Sequence, residues 1–190
     1  MSTVVFDISM SLDGYVTADG QTPEEPMGKG GERLHTWISS PEGQWLLEKE
    51  GARLGAVICG RTTYDGSLPW WQANGPTGEL RVPVVVVTHH PDEPYGVYRF
   101  ATDVRAALAQ ARERAGDRTI TVMGGASIGR QFLAAGLVDE VSLHVAPVVL
   151  GGGTRLFDAP LELRPTEVVD SAEALHLRYS VVSAETLTPR

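Results

Sequence analysis

Short apolar runs, each closed by glycine or a turn, punctuate this chain and set its elements. Residues 3–10 carry Val4, Val5, Phe6 and Ile8 in one compact run, the pattern of a buried strand. Asp13-Gly14, a strong turn pair, follows Ser11-Leu12. Ala56-Val57-Ile58-Cys59-Gly60 predicts a second buried strand, and residues 82–88 a third. Continuous valine in the third predicts burial on both faces, as in an interior parallel strand, with Pro83 tolerated only at its start. Residues 98–101 predict a short strand, and the β-branched run Ile120-Thr121-Val122 ends abruptly at Met123-Gly124-Gly125.

Helical patterns fill the intervals. Ser40 and Pro41 have the form of an N-cap and first helical position, and Trp45, Leu46 and Lys49 fit a helix ending near Gly51. Thr102 and Asp103 open another helix, with Val104, Leu108, Ala111 and Ala115 on one face. Ile128, Phe132 and Leu133 form the inner face of a short helix closed by Gly136. From Glu140 the period changes to two: Val141, Leu143 and Val145 alternate with Ser142, His144 and Ala146. Leu175, Leu177, Tyr179 and Val181 alternate likewise against His176, Arg178 and Ser180. These two runs predict an antiparallel pair closing one edge of an otherwise parallel sheet. Residues 17–32, rich in Gly, Pro and acids, predict a long loop of the kind that forms lids or binding walls. The expected architecture is a three-layer α/β domain with a mixed sheet.

Composition narrows the function classes. With 190 residues, 42% of them hydrophobic, one domain with a sizeable core is expected. A net charge of −8 argues against a nucleic-acid partner, which needs a basic surface, but leaves room for a small basic pocket holding one anion. No apolar run approaches the ~20 residues of a membrane span, and no basic-then-apolar leader opens the chain, so a soluble cytoplasmic protein is expected. Cys59 is the only cysteine, and its apolar run predicts a buried, inert thiol rather than a nucleophile. No Cys/His/carboxylate spacing points to a metal site.

The candidate chemistry lies where strands end. At Gly124-Gly125-Ala126-Ser127 a strand passes through two glycines into a helix, so backbone N–H groups and roughly half a positive charge point at whatever sits above. Gly60-Arg61-Thr62-Thr63 repeats the arrangement, with a guanidinium that can fork onto a phosphate. Thr88 and His89 end the third strand. Three such junctions suit a phosphorylated nucleotide lying across the strand ends. Neither the Gly-x-x-x-x-Gly-Lys-Ser/Thr phosphate loop nor a Gly-x-Gly-x-x-Gly fingerprint after the first strand is present. Asp13 has two readings, a cap on its own turn or a carboxylate serving a site at a strand end. Trp37 likewise reads as a core anchor or as the wall of a pocket for a flat ligand.

These motifs resemble the dihydrofolate reductase superfamily. Gly60-Arg61-Thr62-Thr63-Tyr64 with Ser67-Leu68 is similar to its Gly-Arg-x-Thr-aromatic segment. Val122-Met123-Gly124-Gly125-Ala126-Ser127-Ile128 is similar to its cofactor turn, and Leu137-Val138-Asp139-Glu140-Val141 to its next strand. Ser11-Leu12-Asp13-Gly14 and Ala146-Pro147-Val148-Val149-Leu150-Gly151-Gly152-Gly153 with Leu156-Phe157 resemble the riboflavin-biosynthesis reductase branch, the RibD C-terminal type. The resemblance implies a mostly parallel three-layer α/β/α sheet fold with antiparallel C-terminal strands, and NADPH as cofactor. Arg61, Thr88 and His89 would hold the 2′-phosphate side, and Thr62, Thr63, Gly124, Gly125, Ala126 and Ser127 the pyrophosphate. It implies hydride transfer to a C=N or C=O group of a small heterocycle, with Asp13 orienting the substrate or relaying a proton and Trp37 walling the pocket. It also implies a homodimer, for which an antiparallel edge near residues 141–149 is the expected contact. The chain departs from the branch where Asp65-Gly66 replaces Asp-Asp-Pro and Met123 replaces a Glu, and nothing in it matches the branch's zinc deaminase domain. Pterin reduction of the dihydrofolate reductase type and a non-catalytic nucleotide- or flavin-binding module are the alternative readings.

Overall fold

The computed structural model describes residues 2–182. β1 (Val4–Ser11) turns at Asp13-Gly14 into a short β2 (Tyr15–Thr17). A 3-10 helix (Gly31–Ser39) leads to α1 (Pro41–Gly51), where Ser40 Oγ accepts the Gly43 backbone N–H at 3.0 Å. β3 (Leu54–Gly60) passes without a loop into α2 (Arg61–Trp71). β4 (Val84–Val87) and β5 (Tyr98–Ala101) precede α3 (Val104–Ala115). The Asp103 carboxylate caps α3, accepting the N–H groups of Arg105 and Ala106 at 2.9 Å each. β6 (Thr119–Met123) runs through the glycine pair into α4 (Ala126–Ala134). β7 (Glu140–Ala146), β8 (Thr154–Arg155), β9 (Leu163–Asp170) and β10 (Leu175–Val181) complete the described elements.

Eight strands form one sheet in the order β5-β4-β3-β6-β1-β7-β10-β9. Every pair from β5 to β7 is parallel, while β10 is antiparallel to both β7 and β9. The two alternating C-terminal runs pair as their period predicts, Val141 opposite Tyr179 and Leu143 opposite Leu177. Two expectations need correction. β7 lies inside the sheet between β1 and β10, so residues 141–146 offer no free edge to a second chain; the edges are β5 and β9. β9 itself is hidden in the sequence, because Leu-Arg-Pro-Thr-Glu-Val-Val-Asp does not alternate. Pro165 is tolerated there on an edge strand, beside a register shift opposite Arg178 and Tyr179. The 17–32 segment is also less open than its composition implies: Met27 O accepts the Ala18 N–H at 2.8 Å and Glu25 O the Gly28 N–H at 2.9 Å.

The core explains the valine run. α3 and α4 cover one face of the sheet, packing Ala107, Leu108, Ala111 and Phe132 on Phe6, Ile58, Val85 and Val122. On the other face α2 packs Tyr64 on Val57, Cys59, Val84, Val86 and Tyr98. Cys59 is fully buried, and burial pushes its thiol up to about 12, the inert state expected of it. Packing leaves no room for a side chain where α4 crosses β1. A Cβ on Gly129 would lie 2.0 Å from Cζ of Phe6, whose ring is fully buried. Gly129→Ala should therefore lower folding stability by about 1–3 kcal/mol, despite alanine's better helix propensity. Urea denaturation checks this, expecting a lower midpoint at unchanged slope.

Candidate active site

Parallel pairing places the two strand–helix junctions and the end of β4 side by side, since β4, β3 and β6 are consecutive neighbours. Above them lies a groove of about 370 Å³. Arg61, Thr62, Thr63, Thr88, His89, Gly125 and Ser127 line it, joined by His90, Thr102 and Gln131. α2 begins after Gly60 and α4 after Gly125, and neither start is capped by a side chain, whereas Ser40 and Asp103 cap α1 and α3. Two helix N-termini thus point orphan N–H groups and positive dipole ends at one groove.

The remaining predicted residues act differently. Gly124 does not line the groove but shapes it: at φ +106°, a Cβ there would lie 2.3 Å from Thr63 Oγ1, so only glycine lets this turn close on the start of α2. Ala126 faces the core. The Thr88 hydroxyl braces its own turn, accepting the His90 backbone N–H at 3.1 Å. Arg61 is already paired with Asp65 Oδ2 at 2.8 Å and Asp92 Oδ2 at 2.9 Å, and its hydrogen bond to Asp65 raises its pKa further. An anion in the groove must share the guanidinium with two carboxylates.

A second hollow, a cleft of about 300 Å³, opens on the other side of β6 between α1 and the sheet. Met123 lines this cleft and Gly125 the groove, two residues apart on one strand end. Trp37 is at once a core residue and a lining residue of the cleft. It is buried, and its Nε1–H donates to Ser9 Oγ at 2.9 Å, yet its ring also walls the cleft. Asp7, His144, His176 and Arg178 supply the cleft's polar side.

Asp13 stands apart from both hollows. Its carboxylate accepts the backbone N–H of Leu150 at 3.1 Å and of Gly151 at 2.8 Å. A hydrogen bond with Ser11 and these two amides hold it down to about 2, against burial. It is a clasp between the β1–β2 turn and the glycine-rich 150s, and a group so acidic is a poor proton donor at neutral pH. The proton relay expected of Asp13 finds no support in this geometry.

Residues 2–177 match the RibD C-terminal domain family. The chain belongs to that family. Riboflavin biosynthesis protein RibD of Mycobacterium tuberculosis is 27% identical over 165 residues, covering 82% of this chain and 45% of the relative. The chain therefore spans less than half the length of the curated relatives it matches. A Shewanella sp. PV-4 protein assigned to riboflavin biosynthesis shares the fold at TM-score 0.70 and 22% identity, over 96% of this chain and 100% of the other. A diaminohydroxyphosphoribosylaminopyrimidine deaminase/5-amino-6-(5-phosphoribosylamino)uracil reductase from Thermotoga maritima does so at TM-score 0.65 and 17% identity, over 95% of this chain and 57% of the other.

Within this RibD C-terminal fold, both departures noted in the sequence find a place. Met123 adds an apolar wall to the cleft, and Asp65 ties down Arg61. Asp7 on β1, His144 on β7 and His176 and Arg178 on β10 were not singled out in the sequence, where alternation showed pairing strands but not which polar side chains meet. The matching signal was a histidine on each of two runs expected to pair.

The Asp13 clasp makes a prediction with a defined sign. Asp13→Ala should speed hydrogen exchange at the Leu150 and Gly151 amides while leaving the β1 amides protected. The carboxyl is depressed from 3.8 to about 2, so its contribution is complete above pH 3.8 and is lost as pH falls through about 2. Acid titration of amide exchange should show the wild-type loop opening over that window and the variant loop already open above it.

Proposed function

We propose that this chain is an NADPH-dependent reductase of a small, pyrimidine-like heterocycle, of the kind named in its RibD relatives. The observation that carries this reading is the pair of uncapped helix N-termini converging on one groove at the ends of adjacent parallel strands. Paired orphan N–H groups with aligned dipoles suit a diphosphate. The residues fit the cofactor: Thr62, Thr63, Gly125 and Ser127 would hold the pyrophosphate, and Arg61 with His89 the 2′-phosphate. The bound cofactor would supply a hydride beside the cleft.

The chain's own contribution is placement. Trp37, Leu46, Leu54 and Met123 give the cleft apolar walls that fit a planar ring and exclude water, and Asp7 and Arg178 offer it polar contacts. A homodimer, as the resemblance implies, would have to use the β5 or β9 edge or a sheet-flanking surface rather than β7. Among the described residues no helix is long and apolar enough to cross a membrane.

Tryptophan fluorescence titrated with NADPH and separately with NADH tests the reading, with Trp37 as the reporter in the cleft. NADPH should bind at least about tenfold tighter, a difference of ~1.4 kcal/mol. Arg61→Ala combined with His89→Ala should remove that preference, and equal losses for both cofactors would overturn the 2′-phosphate assignment. Asp92→Asn should do the reverse, strengthening NADPH more than NADH, because it frees Arg61 from one carboxylate.

A further inference from the structure

On the cleft side of the sheet, four side chains form one continuous hydrogen-bonded line. His144 Nε2 lies 3.1 Å from Asp7 Oδ2, and the Nδ1 atoms of His144 and His176 lie 2.7 Å apart. His176 Nε2 lies 3.1 Å from Ser171 Oγ, which in turn lies 2.8 Å from the Ala174 carbonyl oxygen. The sheet register builds this line. His144 and His176 are direct partners across the β7–β10 ladder. Ser9 is the β1 partner of His144, and Asp7 stands two residues before it on the same face. Trp37 stacks on His144 with ring centroids 4.1 Å apart and seals it from above. Both imidazoles are buried, but the Asp7 side chain remains 33% exposed, and it lines the cleft. At the other end Ser171 is half-buried, in the turn between β9 and β10.

Each contact in such a line needs one proton and has room for one. With Asp7 ionised and both rings neutral, Ser171 Oγ–H donates to His176 Nε2, His176 Nδ1–H to His144 Nδ1, and His144 Nε2–H to Asp7. The three contacts from Ser171 to Asp7 are then filled, and the Ala174 carbonyl keeps the Ser171 backbone N–H at 3.1 Å. Adding one proton gives a second complete pattern. The Ser171 hydroxyl turns to the Ala174 carbonyl, His176 Nε2–H donates to Ser171 Oγ, and His144, now doubly protonated, donates to both His176 and Asp7. Passing from the first pattern to the second carries the Ser171 proton onto His176 Nε2 and the His176 proton onto His144 Nδ1, while the added proton takes its place on Ser171 Oγ. A proton enters at the surface turn and becomes available at the cleft.

We propose that this line is the proton source of the cleft: it holds one exchangeable proton, loaded at Ser171 and delivered at the Asp7–His144 end. The role rests on the reductase reading above. Reducing a C=N bond places hydrogen with its electron pair on carbon, which the reduced nicotinamide cofactor supplies, and a proton on nitrogen, which the Asp7–His144 end supplies. Water then restores that proton through Ser171. Asp7 and His144 are the catalytic residues at the cleft, while His176 and Ser171 act through them as positioning residues.

The electrostatics agree with both proton patterns. Burial works to raise the Asp7 carboxyl, but the charge and hydrogen bond of His144, a hydrogen bond from Ser142 and the charge of Arg178 outweigh it and keep it low. Burial and the charge of His144 push His176 down, against a smaller pull from Asp7, in keeping with a ring that is neutral in both patterns. The other charges facing the line are largely compensated. Arg178 on β10 pairs with Glu50 of α1 at 2.9 Å and Glu140 of β7 at 2.8 Å. Glu167 of β9 pairs with Lys49 of α1 at 2.6 Å. His35, in the 3-10 helix, is the remaining titratable neighbour, coupled electrostatically to His144 and Asp7.

Long-range 1H–15N spectra of the full, 15N-labelled chain without cofactor, taken from about pH 5 to about pH 9, read the line directly. The His144 and His176 ring nitrogens should change together in a single step. Asp7→Asn keeps the side-chain shape and still accepts from His144, but it removes the counter-charge. The shared step should therefore move to lower pH by about one unit or more. Rings that respond in separate steps, or a step unmoved by Asp7→Asn, would overturn the proposal. The second arm uses 5-amino-6-(5-phosphoribosylamino)uracil as probe substrate with NADPH. There Asp7→Asn should lower kcat on the order of 100-fold with NADPH affinity unchanged, and His176→Gln should shift the pH profile of kcat. Full turnover in Asp7→Asn also counts against the line. Failure of the wild-type chain to bind NADPH or reduce the probe would instead remove the reductase reading, and the shared histidine step would still decide whether the line holds its proton.

Discussion

Parallel hydrogen bonding between β5, β4, β3, β6, β1 and β7 is the constraint on which the rest of the molecule depends. Parallel neighbours must all end on one side, and each connection must cross a face of the sheet before the next strand can begin. The helices therefore bury both faces of the central strands, which is why Val84, Val85 and Val86 need no polar partner positions. The same geometry collects every strand-to-helix junction along one rim. A groove with two uncapped helix starts follows from topology before any particular side chain is considered.

The switch from parallel to antiparallel pairing at β7–β10 has a separate consequence. In a directly opposed antiparallel pair, side chains at partner positions lie close enough to hydrogen-bond. The ring nitrogens of His144 and His176 meet across that ladder at 2.7 Å. The parallel half of the sheet thus presents backbone N–H groups at its ends, and the antiparallel half presents side-chain chemistry on its face. β6 is the boundary, with Met123 on one side and Gly125 on the other.

Charge is managed locally within an acidic chain. Arg61 is the cation of the groove and Arg178 that of the cleft, and each is held by two carboxylates, Asp65 with Asp92 and Glu50 with Glu140. Arg61 is more than a third exposed, so its pairs are screened by solvent and an incoming anion can compete for it. Arg178 is more buried, where an unpaired partner would cost far more. The first is suited to exchange partners, and the second to fix the wall formed by α1, β7 and β10.

The sequence alone determined the elements whose signals are local. The buried strands, the Ser40 and Asp103 caps and the two glycine junctions all depend on neighbours within a few residues, where periodicity and turn chemistry are informative. Arg61, Thr62, Thr63 and Gly125 were legible as groove residues for the same reason, because each sits at a strand–helix junction that the pattern itself reveals. Tertiary structure decided what long-range pairing controls. β9 carries no alternation of its own and exists because β10 offers it an edge. Asp13 read as a turn or catalytic residue until distant Leu150 and Gly151 claimed its carboxylate. Asp7, His144 and His176 are separated by more than thirty residues at each step and become one hydrogen-bonded line only through the register of three strands, which no local pattern encodes.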